Sequence, residues 1–184
     1  RRIAAGLRSF TLDADTNPGR LNLYERRDVL VLIDFAHNEA GLRGLLDVSR
    51  RLAGRGRVRV AIGTAGDRTD EILHNLGALA GAGADDIVIC EKHHYLRGRE
   101  LEPMNRILRE GVAASGYRRE VPAFPNELTA LQGLVKRARP GDVVASMTHV
   151  ERNEIRDWLT SAGFVPVSPD RLRARLAAAA MDAG

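Results

Sequence analysis

Short apolar runs alternate along the chain with longer segments in which apolar residues recur every three or four positions. The run VLVLI at 29–33 is continuously apolar, which is typical of a parallel strand buried on both faces. Residues 39–53 instead repeat leucine and valine at helical spacing. The same criteria predict further strands at 21–24, 57–62, 85–90, 119–124, 143–147 and 164–167. They predict further helices at 68–83, 101–115, 126–138, 151–163 and from Ser168 onwards.

Strands that alternate with helices predict crossover connections and a mostly parallel sheet that is covered on both faces. We therefore expect an α/β fold, a Rossmann-like three-layer sandwich. The strands at 21–24 and 29–33 flank the charged turn ERRD and form a predicted N-terminal β-hairpin at the antiparallel edge. Thr69, Asn126 and Ser168 are the predicted N-caps of their helices.

Three segments are predicted from the pattern. Residues 1–16 indicate the end of a preceding helix and a linker, because turn formers crowd the stretch behind IAAGLRSF. Residues 17–167 form the predicted α/β domain, and residues 168–184 form a helical tail. Because the sequence starts at Arg1 rather than at Met, we expect it to be a piece of a longer polypeptide.

The composition fits one globular domain, with 44% hydrophobic and 28% charged residues. The net charge of +4 is spread along the chain and aromatic residues make up only 4%, which argues against a nucleic-acid partner. No apolar run reaches the roughly 18 residues that a membrane span needs. Cys90 is the only cysteine, which excludes a disulfide within the chain and fits a cytoplasmic location.

Polar residues follow the predicted strands at the point where each strand ends. Ligands of α/β proteins bind beyond these carboxyl ends, so we expect the loops to converge on one rim. The candidate residues, in chain order, are Asp34, His37, Asn38, Gly63, Thr64, Gly66, Asp67, Arg68, Glu91, Lys92, His93, His94, Arg97, Arg99, Thr148 and His149.

Each candidate also has a structural interpretation. Asp34 and Asn38 could cap the next helix, and His37 could be a loop histidine bonded within the protein. As ligand groups, Asp34 would accept ribose hydroxyls and His37 would donate to a phosphate. Arg97 and Arg99 could face one way around Gly98 and clamp a carboxylate or phosphate, or they could belong to a solvated basic loop.

The sequence gives little support for dinucleotide binding, for a metal site or for a covalent nucleophile. Gly63 and Gly66 could simply provide turns, since GTAGD lacks the dinucleotide-binding pattern GxGxxG. Adjacent loop histidines such as His93 and His94 usually diverge, which argues against a metal site with His149. No GxSxG motif occurs, and Cys90 ends a buried strand, which argues against a covalent nucleophile.

Motifs around the first hairpin carry a resemblance to a known family. NPGR at 17–20 precedes the hairpin and DFAHN at 34–38 follows it. This order resembles the start of the C-terminal domain of the Mur ligase superfamily, whose second motif is D-[YG]-A-H-N-P; here Glu39 replaces the proline. GDRTDEI at 66–72 and LRGRE at 96–100 are similar to loops of one member family, the cyanophycin synthetases.

The resemblance, which covers residues 8–165, implies an ATP-dependent amide ligase. ATP phosphorylates a substrate carboxylate, and the amine of an incoming amino acid attacks the acyl phosphate. The C-terminal domain closes over ATP and Mg²⁺ that are held mainly by a separate central domain. No GxxxxGK[ST] loop occurs in the 184 residues. An ATP-binding central domain is therefore the expected partner, in the same gene or as a separate chain, and this chain should be inactive alone.

The resemblance also implies roles for individual residues. Arg20 would approach the ATP phosphates, Asp34 the ribose, and His37 with Asn38 the phosphate side of the site, so that Arg20 and His37 are the predicted catalytic residues. The incoming amino acid would meet the 91–100 loop. The predicted substrate-binding residues are Asp67, Arg68, Glu91, Arg97 and Arg99.

A non-catalytic module that binds a nucleotide or an amino acid on the same rim is the alternative function. A receiver- or reductase-like domain is a second alternative, against which the opening hairpin and the missing glycine fingerprint argue. The sequence leaves open the amino acid, its acceptor, the oligomeric state (a homo-oligomer included) and the effect of Glu39 on the site.

Overall fold

The computed structural model of the chain describes residues 17–182, so the predicted helix end and linker at 1–16 lie outside it. The strands in this range are β1 (Asn22–Arg26), β2 (Val29–Asp34), β3 (Val58–Ile62), β4 (Asp86–Cys90), β5 (Ala123–Phe124), β6 (Val143–Met147) and β7 (Val165–Pro166). The α-helices are α1 (Glu39–Ala53), α2 (Asp70–Gly83), α3 (Leu101–Ala114), α4 (Glu127–Arg137), α5 (Arg152–Ser161) and α6 (Pro169–Asp182).

The strands form one sheet in the order β5-β4-β3-β6-β2-β1-β7. The strands from β5 to β2 pair in parallel, whereas β1 runs antiparallel to both β2 and β7. The predicted α/β fold and its hairpin are confirmed. The hairpin is followed at the antiparallel edge by β7, which pairs with Tyr24 and Glu25 of β1.

The hairpin turn is shorter than the predicted ERRD turn. Strand β1 continues through Arg26, and the turn consists of Arg27 and Asp28, whose φ angles are +48° and +63°. Two left-handed residues form the kind of two-residue turn that matches the twist of a hairpin. The carboxylate of Asp28 bonds to Arg175 on α6, which holds this turn without a glycine.

The predicted strand at 119–124 is reduced to the two residues of β5. Pro122 precedes these residues and Pro125 follows them, and a proline cannot donate to the hydrogen-bond ladder of a sheet. The short pairing is therefore a direct consequence of the two prolines.

The core lies on both faces of the sheet, as the continuously apolar strands predicted. Leu42, Leu45 and Leu52 of α1 are buried against one face, and Leu131 of α4 with Leu159 of α5 is buried against the other. The predicted caps are confirmed. Thr69, Asn126 and Ser168 accept hydrogen bonds from Ile72, Thr129 and Arg171.

Helix α6 packs at the end of the sheet where the parallel strands begin, and its arginines bond to residues there. Arg175 donates to the carbonyl oxygens of Leu52 and Gly141 at 3.0 and 2.9 Å, and Arg171 pairs with Glu25. The boundary between domain and tail at residue 168 stays a prediction. Within residues 17–182, the helices are too short or too polar to cross a membrane.

Candidate functional site

Loops from four strands meet at the carboxyl edge of the sheet. They line one cleft, here called the rim cleft, as expected of an α/β protein. Its lining residues are Phe35, His37, Thr64, Ala65, Arg68, Tyr95, Arg97 and His149. The convergence that the sequence predicted for the loops after β2, β3, β4 and β6 is therefore present.

Two glycines bring the loops after β3 and β4 into contact. A Cβ atom at Gly63 would lie 2.1 Å from the carbonyl oxygen of Cys90, and one at Gly66 would lie 1.9 Å from that of Leu96. Gly66 also donates a hydrogen bond to the carbonyl oxygen of Tyr95 at 2.8 Å. These glycines thus serve the close approach of two backbones, which is more than the turn formation considered from the sequence.

Asp34 connects the loop before β1 with the end of β6. Its Oδ2 accepts a hydrogen bond from the backbone of Leu21 at 2.9 Å, and its carbonyl oxygen accepts one from Thr148 at 2.8 Å. The helix cap of α1 is Asn38, whose Oδ1 accepts from Gly41 at 2.8 Å. Capping was one of the two interpretations of Asn38, and its contact with ATP stays a prediction.

Phe35 lies at the centre of a cluster of basic side chains. The guanidinium carbon of Arg20 is 4.8 Å from the centroid of its ring, and the rings of His37 and His149 are 5.5 and 5.0 Å away. Nδ1 of His37 is 3.2 Å from the carbonyl oxygen of Phe35 and donates to it, because a carbonyl only accepts. Arg20 and His37, the two predicted catalytic residues, therefore share one aromatic ring.

His149 is held neutral in the rim cleft. Burial lowers its pKa to about 4, with a further contribution from the charge of Lys92. Its Nε2 lies 2.8 Å from the carbonyl oxygen of Ala36 and must donate the hydrogen, so Nδ1 keeps its lone pair. The sequence placed His149 at the rim but assigned it no function beyond the rejected metal site.

A buried ion pair supports the loop of His149. Lys92 pairs with Glu127 and also donates to the carbonyl oxygen of Met147 at 2.9 Å. Glu127 accepts from the backbone nitrogens of His149 and Glu151 at 2.7 and 2.9 Å. Burial favours the neutral acid, but Lys92 and these hydrogen bonds hold the pKa of Glu127 below its ordinary value. Nothing in the sequence signals this pair, since its members are far apart in the chain.

The two arginines around Gly98 have different environments. Arg97 has a φ of +51°, lies 5.7 Å from the ring of Tyr95 and lines the rim cleft. Arg99 donates to the carbonyl oxygen of Arg68 at 2.9 Å and pairs with Asp70. A clamp made by both guanidinium groups would therefore require Arg99 to leave Asp70.

The remaining predicted substrate-binding residues lie at two clefts, the rim cleft and a neighbouring one. Arg68 lines the rim cleft, and the exposed Asp67 lies beside it at 3.8 Å. Glu91 lines a neighbouring cleft with His93 and His94, and it accepts a hydrogen bond from Asn105 at 2.9 Å. The roles proposed for these residues stay predictions.

A known protein family has a sequence similar to most of this chain. Residues 19–148 match the family described as Mur ligase, glutamate ligase domain. The chain belongs to this family. The resemblance predicted from the NPGR and DFAHN motifs is thereby confirmed.

The curated relatives of this Mur ligase domain are much longer proteins, and the chain matches only a part of each. Cyanophycin synthetase of Geminocystis herdmanii is 34% identical over 142 residues, which are 77% of this chain and 16% of that protein. The UDP-N-acetylmuramoyl-L-alanyl-D-glutamate--2,6-diaminopimelate ligase of Streptomyces avermitilis is 32% identical over 163 residues, which are 84% of this chain and 30% of that protein. The chain therefore spans less than a third of the length of either ligase.

Two solved structures illustrate that the fold is shared with known proteins. A UDP-N-acetylmuramoyl-L-alanyl-D-glutamate--2,6-diaminopimelate ligase superposes with a TM-score of 0.58 at 22% identity and covers 78% of this chain. E. coli FolC in complex with ADP superposes with a TM-score of 0.58 at 18% identity. That match covers 86% of this chain and 38% of FolC.

Proposed function

We propose that this chain is the C-terminal domain of an ATP-dependent amide ligase of Mur or cyanophycin synthetase type. It closes over ATP that a separate central domain holds, and it helps to bind the incoming amino acid. The observation that carries the proposal is the meeting of Arg20 and His37 at the ring of Phe35, next to Asp34 on the rim. Side chains that stabilise phosphate charge and accept ribose hydroxyls are thus adjacent, as the reaction requires.

The phosphate side of the proposed site is formed by Arg20 and His37. Within residues 17–182, Arg20 forms no ion pair with a carboxylate, and its side chain is exposed. Its guanidinium is therefore available to the phosphates of ATP and of the acyl phosphate, where it neutralises developing negative charge. Oδ2 of Asp34 accepts from Leu21, which leaves Oδ1 for a ribose hydroxyl.

The amino-acid side of the proposed site is the rim cleft and its neighbour. Arg68 and Arg97 line the rim cleft and would bind a carboxylate, with Arg99 as the predicted further contact. Glu91 or Asp67 would bind an ammonium or guanidinium group. The attacking amine would approach the acyl phosphate from this side while Arg20 holds the phosphate.

Mg²⁺ is assigned to the central domain. In the part of the chain that the structure describes, no three His, Cys, Asp or Glu side chains are close enough to hold a metal ion. We therefore expect Mg²⁺ to be held mainly by the central domain together with the phosphates of ATP. Cys90 is a free, buried thiol, which is compatible with the cytoplasmic location that we propose.

The test is a ligase assay on the complete polypeptide, or the complex, that joins this domain to its ATP-binding domain. Release of phosphate from ATP should depend on an acceptor carboxylate and on an amino acid, and mass spectrometry should detect the new amide. The chain alone should bind ATP and Mg²⁺ weakly or not at all in isothermal titration. Tight binding by the chain alone, without ligase activity of the whole, would favour the nucleotide-binding module instead.

A further inference from the structure

A second arginine lies at the ring of Phe35. The guanidinium carbon of Arg152 is 5.9 Å from the ring centroid, compared with 4.8 Å for that of Arg20. Arg20 belongs to the turn before β1, whereas Arg152 is the first residue of α5. The fold therefore brings two positive charges from distant segments to one aromatic ring.

Neither charge is balanced by an acid of residues 17–182. Among the described residues, Arg20 and Arg152 have no ion-pair partner, and both are exposed. Arg156, one turn further along α5, instead pairs with Asp157 at 3.4 Å. A cation–π contact at an exposed site is weak and leaves the charge of an arginine available to a ligand. Two guanidinium groups at one ring therefore provide positive charge that would stabilise an anion with several charges.

Gly19 determines the path of the Arg152 side chain. Gly19 has a φ of +76°, and a Cβ atom at this position would lie 2.6 Å from Cδ of Arg152. Its backbone nitrogen donates to Oδ1 of Asn22 at 2.6 Å, which holds the turn. The aliphatic part of Arg152 thus packs directly on the backbone of the NPGR turn, next to Arg20.

We propose that Arg152 is a second phosphate-binding residue of the rim and acts with Arg20 on the same phosphate group. This inference rests on the proposed function and adds a residue outside the NPGR and DFAHN motifs. A planar guanidinium binds two phosphate oxygens at once, so two guanidinium groups near one ring can share the oxygens of one phosphate.

The stabilisation of charge by Arg20 and Arg152 would be greatest in the step in which inorganic phosphate leaves. The amine nitrogen forms a bond to the acyl carbon, the bond from that carbon to the phosphate oxygen breaks, and the electron pair leaves with inorganic phosphate. The amine proton goes to water. The negative charge therefore accumulates on the phosphate, where Arg20 and Arg152 stabilise it.

The experiment compares Arg152→Ala, Arg152→Lys and Arg156→Ala in the complete ligase. We expect Arg152→Ala to lower amino-acid-dependent phosphate release by about 100-fold, the lower end of the range known for loss of one charge-stabilising donor. Arg152→Lys should recover part of this loss, because it keeps the charge without the fork. Arg156→Ala should retain full turnover. The inhibition constant of inorganic phosphate should rise in Arg152→Ala and stay unchanged in Arg156→Ala.

The outcomes separate this inference from the proposed function. If Arg152→Ala keeps both its turnover and its affinity for inorganic phosphate while Arg20→Ala loses turnover, the inference on Arg152 is wrong and the proposed function stands. If Arg20→Ala also keeps its turnover, the proposed function fails with it. Because Arg152 is exposed, its variants should unfold at the temperature of the wild-type protein, and a large shift would assign Arg152 to stability instead.

Discussion

Phe35 organises the site at the scale of single residues. Its ring has Arg20 and Arg152 near it and contacts the imidazoles of His37 and His149. The motifs of the sequence pointed to Arg20 and His37 but not to Phe35, because one aromatic residue in a loop has no pattern of its own. The role of such a residue becomes visible only when the fold brings its neighbours together.

The lowered pKa of His149 should make the stability of the fold depend on pH. Its pKa is about 4 in the folded protein, mainly through burial, and about 6.5 in the unfolded chain, where it binds a proton more readily. The free energy of unfolding should therefore fall between pH 6.5 and pH 4, by up to about 3 kcal/mol. Denaturant titrations at several pH values would measure this fall.

His149→Gln should remove this part of the pH dependence, because the amide can still donate to Ala36 but does not titrate. His94→Gln is the control, since His94 is exposed in the loop after β4. An equal fall in stability in both variants between pH 6.5 and pH 4 would contradict the assignment to His149.

Arg97 and Arg99 should differ in their effect on the amino-acid substrate. Arg97→Ala should raise the KM for the amino acid about 10- to 100-fold, the value of one charged hydrogen bond, and leave the KM for ATP nearly unchanged. Arg99→Ala should also raise the KM for the amino acid more than that for ATP, but less than Arg97→Ala does. The reason is that Arg99 is engaged with Asp70 and Arg68.

Steady-state kinetics of both variants in the complete ligase would measure these constants. A larger change in the KM for ATP would move Arg99 to the nucleotide side of the site. A larger effect of Arg99→Ala than of Arg97→Ala on the amino acid would show that Arg99 leaves Asp70 to bind it.

At the scale of elements, the Lys92–Glu127 pair joins the loop after β4, helix α4 and the turn before α5. Both side chains are only 2% exposed, so removal of one partner leaves a buried charge without compensation. Lys92→Met should therefore lower the free energy of unfolding by about 3–5 kcal/mol, and Lys92→Met with Glu127→Gln should lose less. Denaturant titration of the single and double variants would measure both values.

The exposed pair of Arg106 and Glu110 on α3, with an N–O distance of 3.8 Å, is the matched control. Replacement of Arg106 by Ala should change the free energy of unfolding by less than about 1 kcal/mol, as is usual for surface ion pairs. A loss after Lys92→Met that is as small as this would show that the buried pair does not hold the rim together.

Elements with a strong local pattern were predictable from the sequence. The buried strand β2 has an uninterrupted apolar run, and α4 has an asparagine cap followed by helically spaced leucines. Elements that depend on remote contacts were not. Strand β1 extends to Arg26, and Asp28 in the following turn bonds to Arg175, which is 147 positions away in the chain.

At the scale of the whole molecule, the sequence predicted the α/β fold and the convergence of four loops on one rim. Prediction of the site was less complete, because Arg152, Phe35 and the Lys92–Glu127 pair carry no motif. Their importance depends on distances that only the packed sheet creates. The chain spans 16% and 30% of two curated relatives, which is consistent with our proposal that the chemistry requires a second domain.

We propose that Arg20, His37 and Asp34 meet a triphosphate brought by a neighbouring ATP-binding domain. The most direct measurement is amino-acid-dependent phosphate release by the complete ligase with Arg20→Ala. Arg51→Ala is its control, in the last turn of α1. We predict that turnover falls by about 10²- to 10³-fold in Arg20→Ala and is unchanged in Arg51→Ala. Unchanged turnover in Arg20→Ala would contradict the claim.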